Sequence, residues 1–165
     1  MRRILTFWNL LGLLTFLLGA LVFWQTRGGQ TPGALPLPPG EEASPDRLAL
    51  TLYRPDPPRG FLRESLLLDL EPGETRESRA LAAWAEALGA PVPRGLYRVG
   101  GRLVVDLPKD FVQGLDATQE AFRLYSLAYT LLATFPQGEE VRFLVEGEPR
   151  VGLAHLDLRE PVRRP

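Results

Sequence analysis

An apolar run at the N-terminus constrains the placement of everything that follows it. After Arg2 and Arg3, the residues from Ile4 to Trp24 carry no charge and almost no polar side chain. A helix of about 21 residues is roughly 31 Å long, which matches the hydrocarbon core of a bilayer. The sequence therefore predicts one transmembrane helix within residues 1–26.

A cleaved secretory signal is the alternative interpretation of this run. A signal peptide has a shorter apolar region of about 7–15 residues, followed by small side chains. Here the run ends in the bulky Val22, Phe23 and Trp24, and the chain has no cysteine to carry a lipid. We therefore favour a retained signal-anchor.

The arginines around the run predict its orientation. Arg2 and Arg3 precede it, and Arg27 alone follows closely. Because positively charged flanks tend to stay in the cytoplasm, we expect the N-terminus inside and the rest of the chain outside. The expected location is the cell membrane, crossed once, with an extracytoplasmic domain.

A linker and one domain are expected after the anchor. Residues 27–47 are rich in glycine and proline and show no apolar periodicity, which is typical of an extended linker. A spacer is a simpler interpretation of Pro36 to Pro39 than a polyproline ligand. Residues 48–165, about 118 in number, suffice for one domain with a single core.

The composition excludes several functional classes. The chain has no cysteine, so disulfides, thiolate metal sites and a thiol nucleophile are ruled out. Its formal charge is −1, or −3 without Arg2 and Arg3, and this weak acidity gives no reason to expect nucleic acid as a partner. Scarce Asn, Cys and Met with abundant Pro fit a heat-loving bacterial source.

Apolar periodicity and turn residues predict an α+β domain. One helix is expected from Glu74 to Leu88, and a second begins at the capping residue Asp116 and closes at Phe135. The pair Gly100-Gly101 predicts a hairpin. The expected strands are Leu48–Tyr53, ended by Pro55 to Pro58, then Phe61–Leu70, Leu96–Val99, Leu103–Leu107 and Val141–Val145.

These elements predict two amphipathic helices packed on one face of a mixed sheet of about four to five strands. The transmembrane helix precedes this arrangement.

Several segments of the domain are similar to motifs of one family. The sequence Arg102–Leu107 followed by Lys109-Asp110-Phe111 resembles the VDLSKEF-like hairpin of the sporulation and spore germination (GerMN) domain. Four further segments are similar to motifs of the same family: Leu52–Asp56, Tyr129–Pro136, Val141–Gly147 and His155–Pro161.

The resemblance spans Leu48 to Arg164 and implies the GerMN fold. GerMN domains lie on the outer face of bacterial membranes, and the resemblance implies a role in assembling envelope or sporulation complexes. This chain has one copy rather than a tandem pair, and a predicted transmembrane helix in place of a lipid-bearing cysteine. None of the matching motifs is catalytic.

No residue pattern predicts catalysis or a cofactor. His155 is the single histidine, and Ser126 falls within a helix rather than in a Gly-x-Ser-x-Gly elbow. A His–Ser–Asp arrangement in space stays open, although a hydrogen-bonding or surface role is the simpler expectation for His155. We therefore expect no catalytic and no cofactor-binding residues, and no enzyme.

Metal binding is not expected either. The carboxylates near the hairpin and the second helix are those of Asp106, Asp110, Asp116 and Glu120. They lack the dense alternation of oxygen ligands that a calcium loop needs, so capping and solvation are their expected roles. No helix follows Gly100-Gly101, which excludes a phosphate-binding loop.

The aromatic residues indicate where a partner could bind. Trp84, Tyr125 and Tyr129 occur at core spacing on the helices, so burial is the expectation for them. Tyr97 lies in the short hairpin and is the better surface candidate.

The leading hypothesis is a non-enzymatic, membrane-anchored domain that binds an envelope or membrane protein, or a second copy of itself. The N-terminal helix would contact the lipid bilayer. One alternative is a module that binds peptidoglycan or glycan, with Tyr97 or Trp84 stacked on sugars. A less favoured alternative is a cell-wall hydrolase with a pair of Asp or Glu side chains.

Overall fold

The computed structural model describes residues 15–17 and 46–164. The chain divides into two units, Met1–Glu41 and Glu42–Pro165. Residues 15–17 are helical, and the rest of the predicted transmembrane helix and most of the predicted linker lie outside the described residues. Across those described ranges, no helix has both the length and the apolar character needed to cross a membrane.

The second unit contains two helices and seven strands within residues 46–164. The helices are α1 (Arg76–Leu88) and α2 (Ala117–Thr134). The strands are β1 (Arg47–Asp56), β2 (Gly60–Asp69), β3 (Gly95–Val99), β4 (Arg102–Leu107), β5 (Glu140–Val145), β6 (Glu148–Pro149) and β7 (Val162–Arg163).

The larger sheet is mixed and has five strands, with β3, β4, β5 and β6 in that spatial order and β7 paired to β5. β4 and β5 are parallel and the other pairs are antiparallel. Helix α2 connects the two parallel strands, because parallel neighbours need a long crossover. The expectation of helices on a mixed sheet is therefore confirmed.

One face of the larger sheet forms the core. Leu103, Val105 and Leu107 of β4 are fully buried or nearly so, and Val141 and Phe143 of β5 are buried beside them. Arg102 and Val104 of β4 and Arg142 and Leu144 of β5 are more exposed, which is the period-two pattern of a sheet covered on one face. Asp106 at the end of β4 departs from this pattern, because it is buried. Both helices pack on this apolar face.

The first two strands differ from the sequence expectation, because β1 and β2 form a separate two-stranded antiparallel sheet. Leu48, Leu50 and Leu52 alternate along β1 and point into the core. The edge of β1 opposite β2 faces helix α2 rather than another strand.

A row of hydroxyl groups on α2 satisfies that edge of β1. The backbone N–H groups of Thr51 and Tyr53 donate to Oγ1 of Thr134 and Oγ1 of Thr130, at 3.2 and 3.0 Å. The hydroxyl of Ser126 donates to the carbonyl of Tyr53. Ser126, Thr130 and Thr134 are four residues apart, so they lie on one side of the helix and follow the strand.

This arrangement explains why β1 continues through Pro55, where we expected it to stop. Tyr53 and Thr51 turn their N–H groups away from β2. Backbone N–H and C=O groups of successive residues point to opposite edges of a strand, so the nitrogen of Pro55 points away from β2, like those of Thr51 and Tyr53. Proline has no N–H group, but pairing with β2 does not need one at this position. Opposite it, β2 begins at Gly60, one residue before the predicted start at Phe61.

Helix ends follow local sequence rules. The carboxylate of Asp116 accepts from the Gln119 N–H at 2.8 Å, and the Gln119 side chain accepts from the Asp116 N–H at 3.2 Å. This is the predicted capping box. Thr75 and Ser78 form a second capping box at α1, which ends at Gly89 with φ 59°. Gly100 has φ 61° in the predicted hairpin turn.

Candidate functional site

A buried carboxylate holds the segment after β6 against helix α2. Glu120 lies in the first turn of α2 and its side chain is fully buried. Its oxygens accept from the backbone N–H groups of His155 and Leu156, at 3.0 and 3.1 Å. The sequence expectation of capping or solvation is wrong for Glu120, because its partners are 35 and 36 residues away.

His155 adds a side-chain contact to the same carboxylate. Its Nδ1 lies 2.8 Å from Oε2 of Glu120, and a carboxylate oxygen is an acceptor, so the hydrogen lies on Nδ1. The histidine side chain is 46% exposed. The expected hydrogen-bonding or surface role of His155 is confirmed, and Ser126 is engaged elsewhere, by Trp84 and Tyr53.

The remaining predicted carboxylates do not gather around a common point. Asp106 is buried, accepts from the Gly147 N–H at 2.7 Å, and lies 3.7 Å from the Arg94 guanidinium. Asp116 caps α2 as expected, and Asp110 is exposed. Within residues 46–164 no three His, Asp or Glu side chains are grouped closely enough to hold a metal ion.

Helix α2 positions a cluster of aromatic side chains against β1 and β2. Tyr129 packs against Tyr53, Phe61 and Tyr125, with ring centroids 5.5 to 5.8 Å apart. Burial, and then the neighbouring Tyr125 and Tyr53, raise the pKa of Tyr129 above its ordinary value of 10.0. Tyr125 is 39% exposed, so its expected burial is wrong.

Trp84 is a core residue, as the spacing on α1 predicted. Its side chain is fully buried, stacks on Phe111 with ring centroids 5.9 Å apart, and donates through Nε1 to the Ser126 hydroxyl at 3.0 Å. It is therefore not available to stack on a sugar.

Three further shifts in pKa mark local contacts of arginines. Burial lowers the pKa of Arg123, whose guanidinium donates to the Phe111 carbonyl at 2.7 Å. Side-chain hydrogen bonding to Arg159 lowers the pKa of Asp157, and the same contact raises the pKa of Arg159. These contacts fix loops rather than assemble a reaction centre.

A cleft of 710 Å³ lies where the parallel strands β4 and β5 end. Its walls include Lys109, Asp110, Glu146 and Arg150, all with exposed side chains. The carboxyl ends of parallel strands are common ligand sites in α/β sheets. Here the cleft presents solvated charges of both signs.

The solvent-facing side of the larger sheet carries a group of arginine side chains around Glu140. Arg102, Arg142 and Arg163 surround Glu140, with nitrogen–oxygen distances of 2.7, 3.6 and 3.5 Å. Three positive side chains therefore share one carboxylate. Tyr97 lies on the same face, because it pairs with Val104 of β4, which in turn pairs with Arg142 of β5. Its side chain is 55% exposed, as expected.

Two strands expose large apolar side chains at sheet edges. On β3, Tyr97 and Val99 are 55% and 61% exposed. On β2, Leu62 and Leu67 are 52% and 57% exposed. Each strand has a single partner strand in the described part of the chain, so each also presents an unpaired backbone edge.

The family described as "Germane: Sporulation and spore germination" matches residues 51–151. The chain belongs to this sporulation and spore germination family. The matched residues run from β1 to just beyond β6, so the GerMN resemblance of the sequence is confirmed.

Solved GerMN structures share the fold. The first GerMN domain of the sporulation protein GerM from Bacillus subtilis is 16% identical with a TM-score of 0.54, covering 71% of this chain and 98% of that chain. The tandem GerMN domains of the same protein are 18% identical with a TM-score of 0.52, covering 82% of this chain and 50% of theirs. The chain thus spans about half the tandem structure, consistent with a single GerMN domain. No curated protein matches the chain.

Proposed function

We propose that this chain is a membrane-anchored envelope protein whose GerMN domain binds other proteins outside the cytoplasm. The family membership supports a setting in the envelope or in sporulation. The apolar run from Ile4 to Trp24 supports the anchor, and Arg2 and Arg3 support a cytoplasmic N-terminus. The domain acts through contact surfaces and not through catalysis.

The exposed apolar edges of β2 and β3 carry this proposal. A folded domain usually buries large apolar side chains, and isolated exposed ones need no explanation. Leu62 and Leu67, however, accompany an unpaired backbone edge on β2, and Tyr97 and Val99 do so on β3. Apolar side chains beside free N–H and C=O groups favour pairing with another polypeptide.

Site-specific photocrosslinking in living cells tests this function. A photoreactive amino acid replaces Leu67 on β2 or Val99 on β3, and the control replaces Val151, which is 69% exposed and lies on neither strand. We expect protein adducts from Leu67, Val99 or both, and markedly fewer from Val151. Equal yields at all three positions, or none at any, would contradict a specific protein-binding surface.

Binding to the cell wall is a second candidate, favoured by one observation. Tyr97 is 55% exposed on the sheet face where Arg102, Arg142 and Arg163 share the carboxylate of Glu140. An exposed aromatic ring next to arginines suits a polymer that carries sugars and carboxylates.

Cosedimentation with purified peptidoglycan distinguishes the two functions. Wall binding that is lost on Tyr97→Ala, together with no protein adducts in cells, would favour the second. Protein adducts without cosedimentation would favour the first.

A further inference from the structure

Strand β2 has a hydrogen-bonding edge that faces away from β1. Thr51 and Tyr53 turn their backbone groups toward α2, so the pairs that they form with Ser65 and Arg63 are the non-hydrogen-bonded pairs of the β1–β2 ladder. The N–H and C=O groups of Ser65 and Arg63 consequently point outward. None of them has a hydrogen-bond partner within residues 46–164.

Exposed leucines flank this edge on both faces of the strand. Leu62 and Leu66 lie on the face that β1 turns to the core, and they are 52% and 37% exposed. Leu67 lies on the opposite face and is 57% exposed. β2 therefore resembles an interior strand from which one neighbour is missing.

We propose that the missing neighbour is β2 of a second copy of this chain, paired antiparallel about a two-fold axis through Glu64. This inference rests on the proposed function, because it names one protein partner and the surface that binds it. The pairing joins two hairpins into one four-stranded sheet in the order β1, β2, β2 and β1. Two-stranded sheets are marginal alone, so a four-stranded sheet stabilises both copies.

The sequence of β2 is self-complementary in this register. Leu62 lies opposite Leu66 of the second copy, and Phe61 lies opposite Leu67. Arg63 lies opposite Ser65, so outward-pointing backbone groups of one copy meet those of the other. Cross-strand apolar pairs of this kind stabilise the pairing of antiparallel strands.

The central pair is the one unfavourable contact, since Glu64 meets Glu64 of the second copy. Each Glu64 carboxylate already lies 3.3 Å from the guanidinium of Arg54 in its own chain, which offsets the repulsion.

The neighbouring registers are less complementary. An axis through Ser65 places Arg63 opposite Leu67 and Glu64 opposite Leu66. An axis through Arg63 places two arginines opposite each other without a carboxylate pairing with either in the part of the chain that the structure describes.

The segment before β1 is a poor alternative occupant of this edge. It contains Pro36, Pro38 and Pro39, and a proline has no N–H group to donate to a neighbouring strand. A second copy instead supplies a strand that matches β2 in length and can bind by the same surface on both sides, as symmetric dimers do.

Cysteine crosslinking of the full-length chain in detergent tests the register. The chain has no cysteine, so a single substitution supplies the only thiol. Four variants are compared, each with one cysteine: Arg63→Cys, Glu64→Cys, Ser65→Cys and Leu66→Cys. In a non-hydrogen-bonded pair the Cα atoms are about 4.5 Å apart, within disulfide range, so Glu64→Cys should give the most disulfide dimer.

The matched control is Val151→Cys, which places the cysteine at an exposed position on neither β2 nor β3. We expect it to give at least tenfold less dimer than Glu64→Cys. Equal crosslinking by Val151→Cys, or most crosslinking by one of the three neighbouring positions, would overturn the proposed pairing.

Sedimentation of the full-length chain measures the association itself. Ser65→Pro removes an outward N–H that β1 does not use, and Leu67→Lys adds a charge to the edge. We expect each to weaken self-association at least tenfold, whereas Val151→Lys, at an exposed position on neither β2 nor β3, leaves it unchanged. Circular dichroism checks the fold, and if Ser65→Pro fails to fold, Leu67→Lys decides.

The outcomes separate this inference from the proposed function. A chain that stays monomeric and gives no disulfide dimer, yet forms adducts with another protein in cells, refutes the dimer and leaves the function intact. A monomer that binds lipid vesicles through Leu67 also refutes the dimer. A dimer with the predicted register, but without other partners, supports the inference and makes self-association the protein contact.

Discussion

The hydroxyl of Thr130 accepts a hydrogen bond from the backbone N–H of Tyr53 at 3.0 Å, although the two residues are 77 positions apart. Thr130 is fully buried, so water cannot replace this contact. Together with Ser126 and Thr134, it lets a helix satisfy the edge of a strand. The side of β1 next to α2 is thereby closed, and the outer side of β2 is the free edge of the hairpin.

Replacing Thr130 with valine should destabilise the domain by about 1–3 kcal/mol, because the change keeps the shape and leaves the Tyr53 N–H without a partner. Urea unfolding followed by circular dichroism measures the loss. The control Thr118→Val makes the same change at an exposed position of α2 and should stay within about 0.5 kcal/mol of the parent. Equal effects of the two variants would contradict this role for Thr130.

Replacing Glu120 with glutamine should also destabilise the domain by about 1–3 kcal/mol. The amide retains one acceptor oxygen, but its NH₂ group faces donors that the carboxylate satisfied, namely N–H groups of His155 and Leu156. His155→Ala removes the partly exposed side-chain contact alone and should cost about 1 kcal/mol or less. Thermal unfolding of both variants tests whether Glu120→Gln is the more destabilising change. A larger loss of stability for His155→Ala would show that the histidine ring is the main anchor of this segment.

The folded domain should lose stability at alkaline pH through Tyr129. Its pKa is raised in the folded state, so its contribution is fully present below the ordinary value of 10.0 and is lost as the pH rises through the folded pKa. Ultraviolet titration of phenolate should show a late component above pH 10.0 that disappears in Tyr129→Phe. Tyr97→Phe, at an exposed position, should leave the late component in place. A late titration component that persists in Tyr129→Phe would contradict its assignment to Tyr129.

Local features of the fold could be predicted from the sequence because short-range physics determines them. The capping box of Asp116 and Gln119 depends on residues three positions apart, and the turn at Gly100 depends on a residue that tolerates positive φ. The spacing of Trp84 on α1 likewise predicted its burial.

Features that depend on long-range contacts were missed. β1 and β2 form a separate sheet because hydroxyl groups on α2 bind the free edge of β1. No residue near Thr51 or Tyr53 in the sequence indicates these contacts. A row of Ser126, Thr130 and Thr134 on an otherwise apolar helix was the available signal, since hydroxyls inside a helix need a reason.

The burial of Glu120 was also missed. Its position in the first turn of α2 suits a solvated acid as well as a buried one, and its partners lie far along the chain. The apolar pattern of β2 predicted a strand but did not indicate which of its edges would stay unpaired. Helix α2 determines this, because it covers the edge of β1 and leaves the outer edge of β2 open.

We propose that an N-terminal anchor holds the GerMN domain outside the cytoplasm. Labelling of Val151→Cys in intact cells with a membrane-impermeant maleimide tests it most directly, because this substitution supplies the single thiol at an exposed position. We predict labelling before lysis, with the labelled chain in the membrane fraction and residues 1–26 retained. Labelling that requires lysis, or a labelled chain released in soluble form, would contradict the account.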